Sequence, residues 1–195
     1  MKPEFGRILE LLRKEEFPTV EKVRRVAEGA LPGKLTHSDV VEFIDNVYPE
    51  EFDYPGFLGI ILSVAVSRLP KGDYEFKLGE RWKGVDFLFS GLEKGLRITV
   101  EGDVGNLFGW NLRGAEITLK GNAGHELGAE MEGGKIEVYG DVGDYAGSYM
   151  RGGEVLIHGN AGGYVGHRMS GGRIVVEGSG RETKLRYGGE LVIKG

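Results

Sequence analysis

The second half of this chain repeats itself every 19 residues, and this repeat constrains the fold more than any other feature. Four units follow one another without insertion, and each begins with a glycine that we number position 1. Their shared pattern is G-[DN]-[VA]-G-x-x-x-G-x-x-[LM]-x-G-[AG]-x-[IV]-x-[LVI]-x. The units begin at Gly102, Gly121, Gly140 and Gly159; a half unit precedes them at 95–101 and a shortened unit follows at 178–194. Such a period predicts stacked copies of one structural unit.

Each unit contains one strand pattern. Positions 16 and 18 are apolar in every unit, which is the two-residue period of a half-buried strand. The links between strands are too short and too rich in glycine for crossover helices, so βαβ units are excluded. An antiparallel meander gives no reason for identical neighbours, whereas stacked identical coils do. We therefore predict an α+β fold, in which a small N-terminal helical segment precedes a parallel β-helix of 19-residue coils.

Glycine is concentrated in the repeat. Of the 35 glycines in the chain, 26 lie from residue 95 onward, and positions 1, 4, 8 and 13 are glycine in all four units. Glycine adopts positive φ and tolerates a close backbone approach at low steric cost. These four positions are therefore predicted to turn or pinch the coil.

Polar side chains alternate from one unit to the next at three positions. Position 15 alternates in charge, position 2 alternates between aspartate and asparagine, and position 12 carries charges of alternating sign and then a serine. The columns are Arg97, Glu116, Lys135, Glu154, Arg173 and Glu190; Asp103, Asn122, Asp141 and Asn160; and Arg113, Glu132, Arg151 and Ser170. Alternation is explained if equivalent residues are neighbours in space, so it supports the stack independently of the glycines.

The first part of the chain is predicted to be helical. Thr36 or Ser38 is the expected N-cap of the third helix, and Pro70 is expected to end the fourth. Two strand-like runs, 74–78 and 85–89, are expected to form irregular first coils. The apolar positions that predict the four helices are Phe5, Ile8, Leu11 and Leu12; Val20, Val23 and Val26; Val40, Val41, Phe43, Ile44 and Val47; and 57–69.

These patterns divide the chain into two domains. Residues 1–72 are assigned to a helical cap or tether domain and residues 73–195 to the β-helix, with regular repeats at 95–177 and a shortened last coil at 178–195. The helical domain is expected to cover one open end of the stack, because solenoids need capped ends. The charged segment 178–184 is expected to blunt the other end.

Composition excludes several functional classes. The formal net charge of −5 gives no electrostatic case for nucleic acid. The longest apolar run, 57–66, is about half the length of a membrane-spanning helix, so no membrane partner is expected. The N-terminal residues are charged and amphipathic, unlike a signal peptide, and we predict a cytoplasmic protein. The absence of cysteine excludes disulfides and thiol chemistry. Glutamine is also absent and charged residues make up 28%, a composition typical of thermophiles.

No catalytic, cofactor-binding or metal-binding residues are predicted. His125, His158 and His167 occupy repeat positions 5, 19 and 9, and we interpret each histidine as a solvated surface residue rather than a metal ligand. The glycine spacings lack the strand–turn–helix context of a dinucleotide motif. Position 11, which holds Leu112 and then three methionines, is interpreted as core filling.

Two sets of residues are candidate interaction surfaces. Tyr145 and Tyr164 share position 6 in adjacent coils, and we expect them to lie near Phe108 and Trp110. They either pack at a corner or form a contact surface, for which tyrosine and tryptophan are favoured. Position 17 points outward and becomes apolar towards the C-terminus, which predicts a strip for a partner or a second copy. The strip is Leu156, Val175 and Val192.

The repeat resembles a known family. The pattern G-[DN]-[VA]-G-x-x-x-G followed by G-G-x-[IV]-x-[VI], best developed in residues 140–178, is similar to the GXGXG β-helix domain. That domain forms the C-terminal part of the glutamate synthase large subunit and also occurs in one of the subunits that make up formylmethanofuran dehydrogenase, an oxidoreductase complex. The resemblance covers about residues 95–195 and implies a right-handed β-helix with a non-catalytic, architectural role.

Three hypotheses follow for the function. The first is a non-catalytic scaffolding subunit that docks onto a catalytic protein partner. The second is a self-assembling homo-oligomer that uses the strip at position 17. The third is a small enzyme or ligand binder with a site between the helical segment and the first coils, suggested by the aromatic and charged residues of 74–89.

Overall fold

The computed structural model describes residues 3–13 and 19–195. Four helices precede a seven-stranded parallel sheet that forms one face of a β-solenoid of about five turns. The predicted fold class is therefore confirmed. The helices are α1 (Pro3–Arg13), α2 (Val20–Ala30), α3 (His37–Asn46) and α4 (Gly56–Ser67), and the strands are β1 (Gly72–Lys77), β2 (Leu96–Glu101), β3 (Arg113–Lys120), β4 (Gly133–Val138), β5 (Glu154–Ile157), β6 (Arg173–Val176) and β7 (Glu190–Ile193).

Helices α2 and α3 begin at side-chain caps. The Thr19 hydroxyl accepts from the backbone of α2, and Thr36, one of the two predicted caps, forms a reciprocal capping box with Asp39 at the start of α3. On α1, Phe5 and Ile8 are buried as predicted, but the prediction is wrong for Leu11, whose side chain is 44% exposed. The fourth predicted position of that face, residue 12, lies outside the side chains that the structure describes.

The sheet keeps the register of the repeat. Strands β2 to β6 pair in sequence order with an offset of 19 residues, so Ile98, Ile117 and Ile136 lie side by side. The side chains at positions 16 and 18 of the four units are at most 1% exposed. Burying the same apolar pair in every coil builds a continuous core, which is why the period in the sequence becomes a stack.

The first coil differs from the prediction in one segment. Residues 74–78 fall mostly within β1, but 85–89 form turns and not a strand. Phe87 and Phe89 have φ values of 61° and 57°, so both are in the left-handed region. Alternating apolar residues imitate a strand here, because Val85 and Phe89 are buried through turn geometry instead.

The same left-handed pattern recurs at positions 6, 8 and 10 of each coil, although only position 8 is always glycine. In the third unit these residues are Tyr145, Gly147 and Tyr149, with φ values of 64°, 67° and 56°. The glycines at position 4 serve close approach instead. A Cβ on Gly143 would lie 2.8 Å from Nδ1 of His125 in the preceding coil, so a side chain there would collide with the stack.

Asx side chains join successive coils at position 2. The Asp103 carboxylate accepts hydrogen bonds from the backbone N–H of Asn122 (2.8 Å) and from its amide (3.1 Å). The Asn122 carbonyl oxygen accepts from the backbone of Asp141 (2.8 Å), and Asp141 accepts from both groups of Asn160 at 2.7 and 3.1 Å. The predicted alternation therefore has a hydrogen-bonding cause.

The charge column at position 15 forms ion pairs at its two ends. Arg97 donates to Asp73 of the first coil, and Arg173 contacts Glu154 and Glu190, each at 3.1 Å. In the middle of the column, Lys135 instead contacts Glu137 of its own strand at 2.9 Å. At position 12, Glu132 lies between Arg113 (3.7 Å) and Arg151 (3.5 Å).

The helical segment packs against the first coil. Gly59 of α4 lies so close to the backbone at Asp86 and Leu88 that a Cβ there would overlap with it. Ser63 donates to the Phe87 carbonyl oxygen at 3.0 Å, and the His37 ring is 2.9 Å from the Glu75 carbonyl oxygen of β1. The apolar core is consequently continuous from the helices into the coils. No helix in the described part of the chain has the length and apolar character needed to cross a membrane.

Candidate functional site

Aromatic side chains of the third and fourth units form a patch on the turn side of the solenoid. The rings of Tyr145 and Tyr164 stack with centroids 4.8 Å apart and planes at 7°. The His167 ring packs edge-on against both tyrosines and against Tyr149, with centroid distances of 5.6, 6.4 and 6.1 Å. We call Tyr145, Tyr149, Tyr164 and His167 the aromatic patch.

The patch is exposed although its members contact one another. Tyr164 is 51% exposed and Tyr149 is 45% exposed. Arg168 lies over the Tyr149 ring at 5.6 Å and donates to its hydroxyl at 3.2 Å, which limits rotation of that ring. A rigid group of half-exposed tyrosines loses little conformational entropy on binding, a property that is characteristic of protein interfaces.

The left-handed backbone beneath the patch belongs to the coil and is not a sign of function. Positions 6 and 10 also have positive φ in the first two units, where they hold Leu107, Asn111, Glu126 and Glu130. The patch arises because these turn positions become aromatic only in the later units. The 19-residue period predicted the tyrosine pair but not Tyr149 and His167, which reach the patch through the left-handed turn at positions 6–10.

Trp110 does not join the patch. Its ring contacts Phe87 edge-on at 5.9 Å, and it lies beside α2. Phe108 is buried in the core against Phe89. The expectation that both lie near Tyr145 is therefore wrong, because the first coil and α2 cover that end of the stack.

The predicted apolar strip lies on the outer face of the sheet. Leu156, Val175 and Val192 are adjacent in register across β5, β6 and β7. Val175 is only 5% exposed, whereas Leu156 and Val192 are half-buried. The strip therefore offers less apolar surface than the sequence suggests.

A half-buried histidine lies between two carboxylates. His158 Nε2 is 2.9 Å from Glu137 and its Nδ1 is 2.7 Å from Glu177, so both ring nitrogens donate, as in the protonated ring. These carboxylates raise the pKa of His158. The hydrogen bond from His158, with a second from Lys135, lowers the pKa of Glu137 to about 2. The interpretation of every histidine as a solvated residue is wrong for this one.

The tyrosine at position 19 completes this network. The Tyr139 ring stacks on the His158 imidazole with centroids 4.5 Å apart, and its hydroxyl is 3.3 Å from Glu137. Lys194 contacts Glu177 at 3.1 Å. Every polar group of the network has a partner within the coil stack, so it serves to join coils. Within residues 3–13 and 19–195, no group of three or more histidine or acidic side chains is arranged to hold a metal ion.

A cleft separates the helical segment from the first coils, as the third hypothesis requires. Its walls come from α2, from the end of α4, from the residues before β1 and β2, and from the first residues of β2 and β3. Its volume is 390 Å³. Its lining includes Arg24, Lys94 and Arg113, and the residues of 74–89 that suggested a site there are not part of it.

Comparison with known proteins provides no relative for this chain: no protein-family model, no curated protein and no solved structure matches it.

Proposed function

We propose that this protein is a non-catalytic scaffold that docks onto a catalytic protein partner through the aromatic patch. The observation that carries the proposal is the stacked pair Tyr145 and Tyr164, which is held edge-on by His167 and remains half-exposed. Clusters of rigid tyrosines are typical centres of binding energy at protein interfaces. The resemblance of the repeat to the GXGXG domain supports the same role, because that domain is architectural in the enzymes that contain it.

The docking proposal is tested by co-purification from the native organism. The tagged wild-type chain is compared with the Tyr149→Ala/Tyr164→Ala variant, and captured proteins are identified by mass spectrometry. Tyr139→Ala is the matched control, because Tyr139 is 57% exposed and lies outside the patch. We expect a stoichiometric enzyme partner with the wild type and with the control, and its loss with the double variant. Each purified variant is checked for an unchanged circular dichroism spectrum.

Two results contradict docking through the patch. One is recovery of the wild-type chain alone. The other is equal recovery of the partner with the double variant and the wild type. An interaction that survives the double variant but is lost in Leu156→Asp would move the docking surface to the strip at position 17.

A second candidate function is self-assembly, and the last strand favours it. Among the strands that the structure describes, β7 pairs only with β6, and its inward residues Leu191 and Ile193 are partly exposed. If two copies pair antiparallel about Val192, Glu190 of each faces Lys194 of the other and Leu191 faces Ile193. This arrangement places opposite charges together and continues the core between the copies.

Light scattering with size-exclusion chromatography tests self-assembly of the 195-residue chain. We expect a dimer, its dissociation in Lys194→Glu, and its recovery in Glu190→Lys/Lys194→Glu, where the cross-strand charges are exchanged. A monomer at high concentration excludes this candidate. A dimer that is insensitive to the exchange assigns the contact to another surface.

A further inference from the structure

The cleft between α2 and the first coils is lined by more cations than carboxylates. Arg24 of α2, Lys71 before β1, Lys94 before β2 and Arg113 at the start of β3 line it together with two carboxylates, Glu28 and Glu93. A second cleft of 400 Å³ shares Arg24, Glu28, Gly91 and Arg113 and extends to the Trp110 ring. The chain carries a net charge of −5, so this concentration of positive charge is local.

The charge alternation at position 12 continues to this corner, where further cations are added to it. Further along position 12, Arg113, Glu132 and Arg151 alternate in sign and form ion pairs. In the coil before, Glu93 pairs in register with Arg113, and the next residue, Lys94, lies against Gly114. Arg24 approaches the same place from α2, so cations still outnumber carboxylates around the cleft. Within the described residues, no carboxylate oxygen lies within 4.0 Å of a side-chain nitrogen of Arg24, Lys71 or Lys94.

Arg24 is the anchor of the cleft. Its guanidinium lies over Gly91, where a Cβ would be 3.3 Å from both terminal nitrogens. It donates a hydrogen bond to the Ser90 hydroxyl at 3.2 Å. Partial burial lowers the pKa of Arg24; Glu28 acts in the opposite direction and Arg113 in the same direction. A half-buried cation that no carboxylate of the described chain contacts is unfavourable, and binding an anion relieves this.

We propose that this cleft binds a small molecule bearing a carboxylate or phosphate group, with Arg24 as the principal ligand to the oxyanion. The planar guanidinium of Arg24 offers paired donors to either group, and Lys94 and Arg113 add charge from the coil side. The volume of 390 Å³ admits a metabolite-sized ligand. Trp110, which lines the adjoining cleft, provides an apolar surface for the remainder of the ligand. The site is separate from the aromatic patch and does not depend on docking.

Calorimetric titration of the full chain at low ionic strength tests the proposal. The probes are inorganic phosphate, pyrophosphate and citrate. The Trp110 indole N–H is followed in parallel by NMR, with Trp82 as an internal reference because its indole is buried and bonded to the Ile44 carbonyl oxygen. We expect saturable binding of at least one probe, with a shift of the Trp110 signal only. Saturation by the phosphates alone or by citrate alone identifies which oxyanion the site prefers.

Three variants separate a specific site from general charge. Arg24→Gln should weaken binding at least tenfold, and Arg113→Gln provides a second reading if the first variant folds poorly. Arg151→Gln is the matched control, because Arg151 contacts Glu132 as Arg113 does but does not line the cleft. The proposal is overturned if none of the probes binds at 10 mM, because a dissociation constant above roughly 10 mM is too weak for a specific site. Equal weakening by Arg24→Gln and Arg151→Gln also overturns it.

Discussion

Replacing Asn122 by aspartate places three carboxylates in succession along the position 2 column. The wild-type amide donates to Asp103 at 3.1 Å, and its carbonyl oxygen accepts from the backbone of Asp141 at 2.8 Å. The variant keeps the second bond and loses the first, and its carboxylate lies next to Asp103 and Asp141. The stack should therefore become less stable without any loss of side-chain volume.

The size of this effect follows from the spacing of the coils. Two carboxylates about 5 Å apart in water repel by roughly 0.8 kcal/mol, and the variant creates two such pairs. Moderate salt reduces this repulsion, while the lost hydrogen bond to a charged group adds about 1 kcal/mol. The free energy of unfolding should fall by about 2 kcal/mol, which lowers Tm by about 4–8 °C in a chain of this length.

Thermal unfolding followed by circular dichroism in low salt measures the effect. At about pH 3 the introduced carboxylate becomes largely protonated, so the difference from wild type should narrow. Asp141→Asn is the matched control, since an amide in that place still accepts from Asn160 and introduces no repulsion. The reasoning is refuted if Asn122→Asp unfolds at the wild-type temperature at pH 7, or if Asp141→Asn is the more damaging change.

Two further perturbations probe the coils. Because folding lowers the pKa of Glu137 from 4.5 to about 2, its contribution to the free energy of unfolding is present above about pH 4.5 and is lost as the pH falls through 2. Screening by solvent limits this contribution to about 1–2 kcal/mol. Because the pKa of His158 is raised, its contribution to the free energy of unfolding is complete below about pH 6.5 and is lost as the pH rises through the raised value. The Tm of Glu137→Gln should therefore lie furthest below that of the wild type between about pH 5 and 6.5. A difference in Tm that does not depend on pH would contradict this linkage. Gly147→Ala should lower the free energy of unfolding, measured in urea, by about 1–3 kcal/mol, because φ is 67° and the new Cβ meets the Ile174 side chain of the next coil. Gly33→Ala is the control, because no atom lies within 4 Å of the Cβ that it adds. Equal urea midpoints for the two variants would show that position 8 tolerates a side chain.

Part of the candidate site could be predicted from the repeat. Tyr145 and Tyr164 are 19 residues apart, and residues with this offset are neighbours across strands β2 to β6, so their stacking follows from the period. The participation of Tyr149 and His167 could not be predicted in the same way, because it depends on how the left-handed turn at positions 6–10 directs its side chains. The left-handed turn also explains why the strand predicted at 85–89 is wrong. Its buried residues alternate along the chain as they do in a strand, and periodicity alone does not distinguish the two.

The sequence by itself determined the parallel coils, their register and the columns that join them. These are contacts between equivalent residues of adjacent units, and a fixed period makes such contacts readable along the chain. Only the tertiary structure decided how α2 lies against the first coils, and hence that Arg24 meets Lys94 and Arg113 across a cleft. That contact joins a non-repeating helix to the stack, so no period records it; it depends on packing of the helical segment over the Gly59 contact with the first coil.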